Sequence, residues 1–357
     1  MGNFSAADIL GLAKSRFETP KSKERGSSML WEANIGDHVI SLAYSPDGKY
    51  VAAAGIGGRI FVFDAGTGEV RLENEAHNFG AKMVSWSRDG RFFTSAGQDG
   101  QIRLFEAKNF TEIITLTGGA DWVECVSWSP HSDTFVSTAG KKIRLWSAGG
   151  VMLREYPEQA STVVDVSWSP ASEKFVTACY GGLTQWRAAD TIPVHKYQWK
   201  GSTLVISWSP NGKYIATGDQ DATVHFWITK NGSDLQMHGY PTKVMELSWD
   251  STSHFLATGG GGSVTVWNCE PSPQGTTPMQ LNGHKNFLTN LAFQPDGLLL
   301  LSGDRDGKVS LWDVAQEGKL QWSTALSGEV TQLSWAKDNQ HFAVSDGNGQ
   351  IKLFSID

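Results

Sequence analysis

The chain has 357 residues and a formal net charge of −7, with 39 glycines, 15 tryptophans and three cysteines. An acidic balance disfavours generic binding to a nucleic-acid backbone. The odd, widely spaced cysteines (Cys125, Cys179, Cys269) argue against a disulfide framework and a clustered zinc site. They predict a reducing compartment, taken as the cytoplasm, and no metal or other cofactor. No apolar run reaches the roughly 20 residues of a membrane-spanning helix.

Residues 1–27 stand apart from the remainder of the chain. Ser5-Ala6-Ala7-Asp8 resembles a capping box, and Ile9, Leu10, Leu12, Ala13 and Phe17 recur at helical spacing. This predicts a short amphipathic helix over 5–17, then a polar linker from Glu18 to Ser27. A helix that short is marginal alone, so it is expected to dock on the rest of the chain, on a partner or on a membrane surface.

From residue 28 onward one pattern repeats. An aliphatic residue, a small residue and an aromatic anchor recur as Leu42-Ala43-Tyr44, Val84-Ser85-Trp86, Val126-Ser127-Trp128, Val166-Ser167-Trp168, Ile206-Ser207-Trp208, Leu247-Ser248-Trp249, Leu291-Ala292-Phe293 and Leu333-Ser334-Trp335. A second aromatic follows each anchor by 18 or 19 residues, from Phe63 and Phe105 to Trp312 and Phe354. Eleven of the fifteen tryptophans are accounted for in this way. The unit is about 42 residues long and occurs eight times, and a fixed period of this kind sets the architecture.

Within a unit the hydrophobic period is two, as in Lys308-Val309-Ser310-Leu311-Trp312, which reads as a strand. Tight-turn residues separate the strands, such as Pro46-Asp47-Gly48, Pro210-Asn211-Gly212 and Arg305-Asp306-Gly307. Each unit therefore reads as four antiparallel strands, and the fold class is all-β. The last unit ends after its third strand, Gln350–Phe354, and would leave an open edge. Ser28-Met29-Leu30-Trp31-Glu32-Ala33-Asn34 resembles the other fourth strands and is expected to close it.

With these motifs the chain resembles the WD40-repeat β-propeller family. The seventh unit carries the pattern most fully: Gly283-His284, Phe293-Gln294-Pro295-Asp296-Gly297, Leu301-Ser302-Gly303-Asp304-Arg305-Asp306-Gly307 and Leu311-Trp312-Asp313. The resemblance covers 28–357, read as one domain. It implies a propeller of eight blades, one per unit. It also implies a buried network of His284, Ser302, Asp306 and Trp312. In the second unit His77, Ser95 and Asp99 match, but Phe105 cannot donate the final bond.

No catalytic signature accompanies the repeat. Gly259–Gly262 lacks the GK[ST] of a phosphate loop, and neither G-x-S-x-G nor H-E-x-x-H occurs. The chain is therefore expected to be a non-enzymatic scaffold for a protein or peptide partner, and not to bind nucleic acid. The rival expectation is a propeller enzyme or small-ligand protein using the central channel. In propellers resembling this one, the connections before each first strand and the second-to-third-strand turns share one face. That register puts Trp122, Tyr180, Phe287, Arg305, Lys243 and Glu329 on the expected binding face, a composition rich in the residues of binding hot spots.

Overall fold

The computed structural model describes residues 26–357. The helix expected over 5–17 lies outside the described residues, among which no α-helix occurs; a single 3-10 turn spans Val314–Gln316. All other regular structure is β. The first unit shows the plan: Val39–Tyr44, Tyr50–Gly55, Arg59–Asp64 and Val70–Glu75 pair antiparallel in chain order, inside to outside. Alternation sorts the side chains between two cores, one on each side of the sheet. In Arg59–Asp64, Ile60, Phe61, Val62 and Phe63 are buried between neighbouring sheets, while the outermost strand Val70–Glu75 is largely exposed.

The eight-bladed expectation is overturned. The described strands form seven hydrogen-bonded sheets, six of four strands and one of six, and so a seven-bladed propeller. The units anchored at Trp168 and Trp208 share the six-stranded sheet. One long strand fuses them, His195–Trp208, which pairs with Lys174–Arg187 of the first unit and with Tyr214–Asp219 of the second. The physical cause is local. After the fourth strand of the first of these units the chain stays extended through Lys200–Ser202 and runs directly into the first strand of the next, while Tyr180-Gly181-Gly182 has both glycines at positive φ (+100° and +116°). Gly182 has no alternative, because a Cβ there would overlap the Tyr197 carbonyl oxygen. Tyr180 then pairs with Ser202, inside a connection that elsewhere leaves the sheet.

The innermost strands pack side by side around a ring, and Val330–Trp335 returns to Val39–Tyr44. The anchor tryptophans stitch this ring. The indole Nε1 of Trp86 donates to the Ala43 carbonyl (3.1 Å), Trp168 to Ser127 (3.0 Å), Trp249 to Ser207 (3.2 Å) and Trp335 to Ala292 (2.9 Å). Each bond crosses to the preceding unit, so an anchor buries aromatic area and satisfies its polar handle at once. Trp208 makes no such crossing; its indole reaches only its own turn, Gly212, at 3.4 Å. This is the fused pair of units, already joined by backbone.

Ser27–Asn34 pairs antiparallel with Gln350–Ile356 and completes the last sheet as its outer strand. The chain thereby closes the ring by joining its two ends.

The buried network of the seventh unit is present with one correction. His284 Nε2 meets Ser302 Oγ at 2.6 Å, and Trp312 Nε1 donates to the same oxygen at 2.7 Å. The carboxylate on His284 Nδ1 is Asp304 (2.7 Å), not Asp306. Asp306 is exposed and accepts from Asn286 Nδ2 at 2.8 Å. Asp304 ends the second strand, so its side chain points back into the sheet. Its other oxygen takes the backbone N–H groups of Asp306 and Lys308, both at 2.9 Å, and folds the turn over it. In the second unit the turn residue Asp99 does serve His77 (3.1 Å), with Ser95 at 2.8 Å. Burial holds both imidazoles below the ordinary histidine pKa, outweighing the neighbouring carboxylates. The fifth unit is rewired. Trp199 stands where His284 stands in the seventh, Thr217 turns its hydroxyl to Asp219 (3.0 Å), and the indole N–H groups of Trp199 and Trp227 are left buried without partners.

Candidate protein-docking face

Backbone hydrogen bonds establish which connections share a face. The amide of the second-to-third-strand turn donates to the connection before the first strand in unit after unit: Ile56 to His38 (2.9 Å), Gln98 to Gly80 (2.8 Å), Gln220 to Ser202 (2.9 Å), Arg305 to Phe287 (3.0 Å) and Gly347 to Glu329 (3.0 Å). Both connections therefore lie at the same end of the ring of inner strands, as the register predicts.

On this face Trp122 (51% exposed), Tyr180 (60%) and Phe287 (41%) present their rings to solvent, and Lys243, Arg305 and Glu329 are exposed beside them. Phe287 and Arg305 are brought together, with the guanidinium 5.4 Å from the ring centroid. That stacking fixes a long side chain over an apolar plane, an arrangement suited to a binding anchor. Trp122 is held from the other side: Lys82 Nζ lies 5.9 Å from its ring and pairs with Glu124 at 3.0 Å. Tyr180 has its backbone amide on Ser161 Oγ (2.9 Å) and its ring free. The structure gives no contact joining Trp122 to Tyr180 or Lys243 to Glu329; these residues line the face separately.

Phe79 is absent from the set that register selects, yet it is 84% exposed on this same face, with φ at +69°. It stands one position before Gly80, and an apolar residue between Asn78 and Gly80 in a polar connection was its available signal. Met245, Val164 and Ile56 add exposed apolar side chains. The exposed aromatics thus gather at one end of the ring, while exposed aliphatic residues such as Val70, Val151 and Ile192 lie elsewhere.

Two carboxylates sit lower, in the inner strands. Burial pushes the Asp165 carboxyl up to about 6, although its oxygens accept from the Val166 and Ile206 amides, both at 2.8 Å. The second bond links adjacent units. Burial likewise raises Glu246, opposed by the Met245 and Gly260 amides and by the charge of Arg305. Each carboxylate is spent on its own backbone surroundings. Among the described residues no group of three or more His, Cys, Asp or Glu side chains could hold a metal ion, and no helix is long and apolar enough to cross a membrane. The three cysteines are buried and unpaired.

Comparison with known proteins matches this architecture. THO complex subunit 3 of Arabidopsis thaliana is 29% identical over 152 residues, 41% of this chain and 47% of that protein. WD repeat-containing protein 18 of Danio rerio is 29% identical over 149 residues, 39% of this chain and 34% of that protein. The chain thus spans less than half the length of these curated relatives. The crystal structure of the C-terminal WD40 domain of Sif2 superposes with a TM-score of 0.79 at 18% identity, covering 93% of this chain and 98% of that one, a likeness of fold. The family described as "WD domain, G-beta repeat" matches residues 31–64, 192–227, 232–268, 275–313 and 319–355. The anaphase-promoting complex subunit 4 WD40 domain matches 70–131. Residues 132–191, which lead into the fused sheet, fall outside both matches. With repeats matched over half its length, the chain belongs to the WD40-repeat family of β-propellers.

Proposed function

We propose that this chain is a non-enzymatic interaction scaffold that seats a segment of a protein partner on the face carrying Trp122, Tyr180, Phe287 and Arg305. The observation that carries the reading is that the exposed aromatic rings among the described residues, Phe79, Trp122, Tyr180 and Phe287, all lie at one end of the ring, with an arginine stacked on Phe287. Isolated exposed apolar residues are ordinary, but exposed aromatic rings gathered on one face with an arginine have the composition of a binding hot spot. The ring beneath is stitched by cross-unit hydrogen bonds, so the face is ordered before a partner arrives and little conformational entropy is lost on docking.

The relatives' names place them in assemblies such as the THO complex. A role within a larger assembly is part of this proposal for the present chain.

The test is an affinity capture from native lysate with three baits of matched melting temperature: the full chain, Trp122→Ala/Phe287→Ala, and the chain lacking residues 1–26. The double substitution is expected to lower recovery of the bound protein by about ten-fold or more, the scale of truncating two anchors. Loss only on removing residues 1–26 would move recognition to the N-terminal segment. Equal recovery with all three baits would overturn the assignment of the face.

A further inference from the structure

Two depressions meet on the third and fourth units. One, of about 550 Å³, is lined by Trp122, Glu124, Lys141, Lys142 and Glu158 among others. The other, of about 930 Å³, runs from Pro157 and Glu158 past Tyr180 to Lys196, Trp199 and Lys200. Glu158 lines both, so the two depressions adjoin, and together they run as a groove from the inner end of the face toward the outer strand of the fourth unit.

The charge in this groove is the reverse of the chain's. Among the described residues Lys141, Lys142, Lys196 and Lys200 make no ion pair within 4.0 Å, and Lys141, Lys196 and Lys200 are exposed. Of the acids, Glu124 is engaged by Lys82, which leaves Asp121 and Glu158. Four cations without an ion pair thus face two such anions in a chain whose net charge is −7. Aromatic surface lines the length of the groove, with Trp122 in the inner depression, Tyr180 beyond it and Trp199 toward the outer end.

We infer that this groove binds an extended acidic peptide segment carrying at least one bulky apolar side chain. The carboxylates lie toward Lys196 and Lys200, and the apolar residue packs on Trp122 or Tyr180. The inference rests on the scaffold reading and narrows it to one pair of units and one partner chemistry. A nucleic-acid strand fits less well, because Asp121 and Glu158 interrupt the lysines where a phosphate chain would need continuous positive charge. Long-range attraction between the lysines and an acidic segment also speeds encounter, and it weakens with salt.

The experiment selects binders from a phage-displayed library of random dodecapeptides on the full chain, then measures the selected peptides by fluorescence anisotropy. The comparison proteins are Lys196→Glu/Lys200→Glu and Phe287→Ser/Arg305→Ser. Neither lysine holds an ion pair among the described residues, so the charge reversal should melt like the parent. The expected result is enrichment of peptides combining Asp or Glu with an aromatic or large aliphatic residue. Their affinity should fall by about ten-fold or more on charge reversal and fall again as salt rises. Selected peptides without an acidic excess, peptides indifferent to charge reversal, or no enrichment at all would overturn the inference. Peptides that need Phe287 and Arg305 but not the lysines would overturn the groove and leave the face intact; peptides that need neither would remove both. A random single-stranded oligonucleotide serves as a further arm, and tighter lysine-dependent binding to it than to any selected peptide would also overturn the peptide assignment.

Discussion

Removing residues 1–35 should lower the melting temperature by at least about 10 °C or leave the protein insoluble, whereas removing residues 1–26 should leave the melt unchanged. The difference is one strand, Ser27–Asn34, which pairs with Gln350–Ile356. Its side chains do more than the ladder. Trp31 donates its indole N–H to the Ala65 carbonyl at 2.8 Å and lies 5.8 Å from the Phe63 ring, so it reaches across from the last unit to the first. Trp31 and Ala33 pack against a core cluster that holds Val39, Phe61 and Phe63 of the first unit together with Ala343, Ile351 and Leu353 of the last. Losing one large packed aromatic costs about 3–5 kcal/mol. In a domain of this size each kcal/mol moves the midpoint by roughly 1.5 °C, so Trp31 alone accounts for about half of a 10 °C drop, and the lost strand ladder and the packing of Ala33 supply the rest. Without the strand, Gln350–Ile356 would also become an open edge, a template for aggregation. Differential scanning calorimetry with size-exclusion chromatography reads both effects. A shortened chain that melts like the full one would show that the ring holds without its closing strand.

The second large effect separates two aspartates only two residues apart. Asp304→Ala should destabilise the protein by about 3 kcal/mol, lowering the midpoint by about 4 °C. Asp306→Ala should stay within roughly 0.5 kcal/mol. Asp304 is 1% exposed and accepts from His284 Nδ1 and from two backbone amides. With His284 neutral, the proton chain has one consistent order: Trp312 donates to Ser302, Ser302 to His284, and His284 to Asp304. Alanine at 304 leaves the last donor of that chain and two turn amides unsatisfied in the interior. Asp306 loses a single exposed bond to Asn286. Urea melts of the two variants check the contrast. Equal effects, or a larger one at 306, would place the network carboxylate at the turn and not at the strand end.

This pair also shows where the sequence was readable and where it was not. The repeat made the strands, their order and the closing strand legible, because a period of two and turn glycines are local properties. The choice between Asp304 and Asp306 is not local. Both precede a turn glycine, and only strand register decides which carboxylate points inward. In the second unit the same register places Gly97 where Asp304 stands, so the carboxylate comes from the turn instead, as Asp99.

The blade count failed for a similar reason. Aromatic anchors count inner strands, whereas a sheet is defined by hydrogen bonds between strands. The pattern did not show that the fourth strand of the unit anchored at Trp168 would run on into the next unit, with Ser202 paired to Tyr180. On the proposed docking face, register alone placed Trp122, Tyr180, Phe287 and Arg305 at the exposed connections where the structure has them. Phe79 was missed because its connection sets it one residue away from the position compared in the other units. The groove shared by the third and fourth units could not be read at all, since it depends on Lys196 and Lys200 in one strand lying beside Pro157 and Glu158 in a distant connection.

The most direct test of the scaffold account is site-specific photo-crosslinking in living cells, with a benzophenone amino acid placed in turn at Tyr180, at Phe287 and, on the outer edge of the third unit, at Val151. All three positions are exposed, so differences in yield report on partners and not on burial. The account predicts one common protein adduct from positions 180 and 287 and none of that protein from 151. A shared adduct found only at 151, or no adduct at either face position, would contradict it.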